Sequence, residues 1–189
     1  MKLLRKIYRI VKYRMTVQGL GTTALWAFNH LYRVVTGMPY RPSSEVSPQL
    51  LLGGQYYAWG WKRMKGWGIN GVVNVRDEFD DREAGIAPEL YLHLPTPDDE
   101  APTLEQLQQG VQFIEKVTGE GGMVYVHCKA GVGRAAIVTA AYIVNQGTGP
   151  RDAWEMIRKV RPFIKPTEVQ ITQLERFAGM VKTERLGES

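Results

Sequence analysis

The single cysteine of this 189-residue chain, Cys128, stands in the run His127-Cys128-Lys129-Ala130-Gly131-Val132-Gly133-Arg134. An ionised thiol is a strong nucleophile, and the arginine that closes the run presents a planar fork matching two oxygens of a phosphate. The apolar stretch Met123 to His127 predicts a strand, and Ala135 to Val144 predicts a buried helix. Cys128 is therefore expected where a strand stops and a helix starts, the place where open α/β sheets bind ligands. Gly131 and Gly133 permit close turns, so the backbone N–H groups of Lys129, Ala130, Gly131, Val132, Gly133 and Arg134 can point inward, toward a helix N-terminus of partial positive charge. The result is a cradle for a tetrahedral dianion. Its field favours the thiolate, placed to attack the phosphorus of a phosphate monoester.

The elements that must position this loop alternate along the chain. Gln49 to Gly53, Gly71 to Val75 and Leu90 to Leu94 predict further strands, and Tyr57 to Lys65 a helix. Thr103 with Gln106 forms a capping box for a helix whose stripe is Leu104, Leu107, Val111 and Ile114. Pro150 opens another helix running to Arg161, and Thr167 with Gln170 caps a last one. This order predicts an α/β domain with a mainly parallel sheet of four or five strands and helices on both sides. Arg76, Asp77 and Glu78 follow a strand on its catalytic side and read first as ordinary surface charge, with bracing of the loop as the alternative. Trp59, Trp61 and Trp67 with Tyr56 and Tyr57 read as core packing.

The charge is unevenly spread. Eight of the 24 Lys and Arg, and none of the 19 acidic residues, fall in residues 1–44, and the rest is net acidic. That argues against a nucleic-acid partner, which wants basic residues spread over a folded face. Within residues 1–14, Leu3, Leu4, Ile7, Tyr8, Ile10 and Val11 share one helical face, with Lys2, Arg5, Lys6, Arg9 and Lys12 opposite. This is the pattern of a helix lying at an anionic membrane surface, the alternative being a basic helix docked on its own domain. Thr22 to Thr36 predicts a second helix, and Arg41-Pro42-Ser43-Ser44 a linker. The chain thus divides into a basic helical extension, 1–44, and a catalytic domain, 45–189. One cysteine and three dispersed histidines give no zinc spacing and no disulfide, so metal- and cofactor-free chemistry in a reducing compartment is expected: cytoplasmic, and peripheral on the inner face of a membrane.

Cys-x5-Arg with a preceding His and two internal glycines resembles the signature of the protein tyrosine phosphatase superfamily, in its compact dual-specificity branch. The resemblance implies the cysteine-phosphatase fold, a phosphocysteine intermediate, and an aspartic acid on an upstream loop that protonates the leaving oxygen. Asp98 in Leu94-Pro95-Thr96-Pro97-Asp98 fits that acid, with Asp99 its rival. It also implies that His127 acts from behind the loop. Where the family has Ser or Thr after the arginine, this chain has Ala135, which predicts slower breakdown of the intermediate.

Lys129-Ala130-Gly131 is similar to the loop of lipid-directed members, the mitochondrial phosphatidylglycerophosphate phosphatase type and a phosphoinositide phosphatase whose second loop lysine is replaced here by Val132. The expected partner is therefore a phosphorylated substrate, a lipid head group first. A phosphotyrosine, phosphoserine or phosphothreonine protein is the alternative, and a phosphate-binding scaffold with impaired turnover the second.

Overall fold

The computed structural model describes residues 14–187. The amphipathic pattern of residues 1–14 lies outside them except for Arg14. A π-turn, Arg14–Gln18, leads into α1, Leu20–Thr36. Five strands follow: β1, Glu45–Ser47; β2, Leu50–Gly54; β3, Ile69–Asn74; β4, Leu90–His93; and β5, Met123–Cys128. The helices of the domain are α2, Ala58–Gly66; α3, Leu104–Gly119; α4, Arg134–Asn145; α5, Pro150–Val160; and α6, Glu168–Gly187.

The strands form one sheet in the order β1-β2-β5-β3-β4, parallel throughout except for the β1–β2 pair. β5 lies at the centre, with Gly54 beside Cys128 and Asn74 beside His127. A parallel strand covered on both faces can be apolar on both. Val124, Val126 and Cys128 accordingly join the cluster formed with α3, α4 and α6, while Tyr125 faces the other cluster with Leu51, Met64 and Val72. Ala135, Ala136, Ile137 and Val138 are fully buried, so α4 forms the floor beneath the loop. Both predicted capping residues do their work: the Thr103 side chain accepts from the Gln106 N–H, and that of Thr167 from the Gln170 N–H.

Two expectations are corrected. Residues 41–44 are no free linker: Arg41–Ser43 is a 3-10 turn, Ser43 and Ser44 are buried, and the chain then enters β1. That three-residue edge strand has too little apolar pattern to be read from sequence. Trp59 is exposed, stacked on Tyr57. Its companions Tyr56, Trp61 and Trp67 do pack on the core face.

α1 is fastened to the domain with its usual polarity reversed. Thr23, Asn29 and Arg33 are buried against the protein, while Leu20, Ala24, Ala27, Phe28, Leu31, Val34 and Val35 share the outward face. Leu20 and Val35 are each 68% exposed. The helix ends at Gly37, in the left-handed region at φ 76°, whose carbonyl accepts from the Tyr57 N–H at 2.8 Å. A Cβ on Gly60 would lie 2.2 Å from the Gly37 carbonyl, so the two backbones touch directly. At the other end Arg14 donates to the Phe163 carbonyl and Gln18 to that of Ile164. Among the described residues, no helix is long and apolar enough to cross a membrane.

Candidate active site

β5 delivers Cys128 as its last residue, 3% exposed, and α4 begins at Arg134. In the turn between them, four consecutive carbonyls are tied from outside. The Gln55 N–H donates to Lys129 O, Arg161 Nη2 to Ala130 O, Arg161 Nε to Gly131 O and the Lys165 N–H to Val132 O, at 3.3, 3.0, 2.7 and 2.8 Å. Since N–H and C=O of a peptide point in opposite directions, carbonyls held outward aim the loop's N–H groups inward. The Gly131 N–H already lies 3.3 Å from Cys128 Sγ. Gly131 has φ 66°, and a Cβ there would come within 2.2 Å of the Gly53 backbone. Only glycine lets the loop lie this close on β2.

Arg161 is wholly buried. Besides the loop it donates from Nη1 to Ser43 O at 2.8 Å, and its guanidinium lies 4.5 Å from the Phe163 ring centre. Burial lowers its pKa to about 10, so it remains charged at neutral pH.

Arg134, also buried, is held by three groups. Glu78 accepts from Nη1 and Nη2 at 2.8 and 3.2 Å, Thr96 O from Nη1 at 2.9 Å, and Asp98 Oδ1 lies 2.8 Å from Nη2. Burial alone would depress Arg134, but the Glu78 bonds and the charges of Cys128 and Asp98 outweigh it and raise its pKa. The hydrogen bonds from Arg134 hold Glu78 down at about 2. Glu78 is therefore more than surface charge; it orients Arg134. Its place just past β3 was the one available signal.

The acidic loop is pinned by the start of α6. Thr167 donates to Asp99 O, Gln170 to Glu100 O and Gln173 to Pro102 O, at 3.0, 2.8 and 2.9 Å. Asp99 adopts φ 66°, and the turn leaves Asp98 as the carboxylate on Arg134. His127 does not touch the loop with its side chain. Nε2 meets Asp81 Oδ2 at 2.7 Å, with both residues fully buried. Asp81 accepts from Gln55, Gln55 from Arg76, and Arg76 donates to Glu78, so a continuous polar chain joins His127 to Arg134. Lys129 is exposed at the mouth, and Ala135 is buried in the first turn of α4.

Beside the loop opens a groove of about 860 Å³, lined among others by Lys129, Asp98, Arg76, Tyr57, Phe79 and Arg33 of α1. A model of the dual specificity phosphatase catalytic domain matches residues 50–179. The chain belongs to the dual specificity phosphatase family. Within this family, it is 36% identical over 121 residues to the mouse phosphatidylglycerophosphatase and protein-tyrosine phosphatase 1, covering 58% of this chain and 61% of that one. It is 26% identical over 162 residues to the Arabidopsis thaliana phosphatidylglycerophosphate phosphatase PTPMT1, covering 81% and 48%. The chain thus spans about three fifths, or less, of these relatives. A crystal structure of PTPMT1 in complex with PI(5)P superposes with a TM-score of 0.69 at 30% identity, over 74% of this chain and 96% of that one. The family region begins at residue 50, so α1 and Arg33 lie outside it. Bracing by Glu78 was only the second reading of the sequence, and the contributions of Asp81, Arg161 and Arg33 escaped it, because each comes from an element distant in the chain from the loop.

Proposed function

We propose that the chain is a cysteine-dependent phosphomonoesterase acting on a membrane phospholipid at an anionic surface. The reversed polarity of α1 carries the lipid part of this reading. A large aliphatic side chain left in water forgoes roughly 1.5–3 kcal/mol, and one helix face exposes Leu20, Phe28, Leu31, Val34 and Val35 together. A lipid interface removes that cost, and the absence of any acid among residues 1–44 suits an anionic one. The Arabidopsis relative is a phosphatidylglycerophosphate phosphatase and the mouse relative a phosphatidylglycerophosphatase as well as a protein-tyrosine phosphatase, which supports a lipid substrate beside the protein alternative.

In the mechanism, Cys128 Sγ forms the S–P bond as the P–O bond to the alcohol breaks, and protonated Asp98 gives its proton to the leaving oxygen. Water then attacks phosphocysteine, Asp98 takes its proton, and the thiolate leaves as inorganic phosphate forms. Substrate phosphate takes over the Arg134 fork from Asp98, freeing that carboxyl to face the leaving oxygen. Asp98 is preferred to Asp99 because it is the one turned to Arg134.

The test is phosphate release from phosphatidylglycerophosphate and phosphatidylinositol 5-phosphate in anionic vesicles, and from phosphopeptides. Lipid turnover should exceed peptide turnover, vanish in Cys128→Ser, and fall about 10²- to 10⁴-fold in Asp98→Asn. Faster phosphopeptide hydrolysis would make the chain a protein phosphatase. No release from any substrate by the wild type would leave a phosphate-binding scaffold.

A further inference from the structure

We propose that Arg33, carried to the catalytic loop by α1, forms a second anion subsite that takes the phosphodiester of a substrate whose terminal phosphomonoester occupies the loop. The phosphodiester's identity as part of a lipid rests on the reading above; the subsite itself rests on geometry.

Gly54 lies beside Cys128 in the sheet, and the point where its Cβ would sit is 3.0 Å from Arg33 Nε and 3.0 Å from Lys129 O. Arg33 Nε and the backbone of the catalytic loop thus both border the space left by the missing Gly54 side chain. Arg33 is 8% exposed and lines the groove that also holds Lys129 and Arg76. Nη1 donates to Gln55 O at 2.7 Å and to Tyr57 Oη at 3.4 Å, and Nη2 meets His30 Nδ1 at 3.2 Å. Burial, and then the Arg33 charge, lower the pKa of His30, so the ring accepts this bond in its neutral form.

All these partners are uncharged. Among the described residues, no carboxylate pairs with Arg33, although a nine-tenths buried cation ordinarily requires one. Burying Arg33 near Arg161 adds repulsion: after burial itself, the Arg33 charge is one of the influences depressing Arg161. Anchoring α1 on the Gln55 carbonyl would need only one neutral donor. A permanently charged guanidinium that lines the groove and keeps Nε and one Nη2 hydrogen for a ligand is matched instead by an anion with two or more oxygens, and a phosphodiester is such a group. The tyrosine, tryptophan and phenylalanine walls of the groove leave room for the apolar part of the same molecule.

The experiment compares two short-chain lipids used as monomers, so that surface binding plays no part: dihexanoyl phosphatidylglycerophosphate, and dihexanoyl phosphatidic acid, which has the phosphomonoester and the chains but no phosphodiester. Wild type should prefer the first by about tenfold or more in kcat/KM. Arg33→Gln should bring that ratio close to one, chiefly through KM, and Arg33→Lys should restore part of it. A wild type indifferent to the diester, or an Arg33→Gln variant that slows both substrates equally, overturns the subsite and leaves only helix anchoring, whatever becomes of the lipid reading. Glycerophosphoglycerol, a diester with no cleavable phosphate, provides a check on the wild type alone. It should inhibit competitively even if phosphopeptides prove to be the better substrates, and no inhibition refutes the proposal.

Discussion

Replacing Arg161 by methionine tests whether the outward-tied carbonyls make the cradle. The side chain supplies three short bonds from a charged donor, to Gly131 O, Ala130 O and Ser43 O at 2.7, 3.0 and 2.8 Å, and a longer fourth to Ser44 Oγ at 3.4 Å, in a site that is 4% exposed. At roughly 1.5–3 kcal/mol each, the gross worth of the three short bonds is about 5–9 kcal/mol. Removing the guanidinium also removes the cost of burying it, several kcal/mol, so a net loss of about 2–4 kcal/mol is expected. For a chain of this length that lowers Tm by roughly 5–15 °C. The functional loss should be the larger effect. With two of four carbonyls released, the N–H groups no longer converge, and misplacement by about 1 Å costs on the order of a hundredfold. Circular dichroism fixes a temperature at which both proteins are folded; kcat/KM on an aryl phosphate and the Ki of inorganic phosphate are then measured there. Arg161→Lys keeps the charge but lacks the fork, and should recover stability more than activity. If Arg161→Met shows wild-type kcat/KM and phosphate affinity while folded, the carbonyl ties do not make the cradle.

Two further outcomes follow from neighbouring residues. Ala135→Ser supplies a hydroxyl in the first turn of α4, and by resemblance to the family should speed breakdown of phosphocysteine; rapid-quench measurement should show less trapped phosphoenzyme and faster steady-state turnover, and an unchanged rate refutes it. Glu78 has a pKa depressed from 4.5 to about 2 by its bonds from Arg134, so its contribution to stability is fully present above pH 4.5 and is lost as pH falls through 2. Thermal unfolding between pH 2 and 6 should therefore decline less steeply in Glu78→Gln than in the wild type, and parallel curves would count against the linkage.

The fold was legible wherever a local pattern carried it. The apolar strands, the capping pairs at Thr103 and Thr167, and Pro150 at the start of α5 each signal through residues a few positions apart. The placing of Cys128 and Arg134 at the two ends of one loop was legible for the same reason. The residues that hold them were not. Arg161 reads as one more basic residue ending a helix, and Glu78 as one acid among several in residues 77–83; their roles exist only because the sheet order brings β3 and the segment after α5 to β5. Arg33 was hidden differently. A helix rich in Leu, Val and Phe invites burial of its apolar face, and here the polar face is the one that docks.

The four tied carbonyls separate two things that the motif appears to join. Because the cradle is held through backbone oxygens by Gln55, Arg161 and Lys165, the side chains at 129, 130 and 132 need not hold it. Exchanging these side chains should leave the backbone ties in place. The shape of the loop thus rests on ties behind it, so an engineer who wants a new substrate should keep Cys128, Gly131, Arg134 and Arg161 and vary 129, 130 and 132.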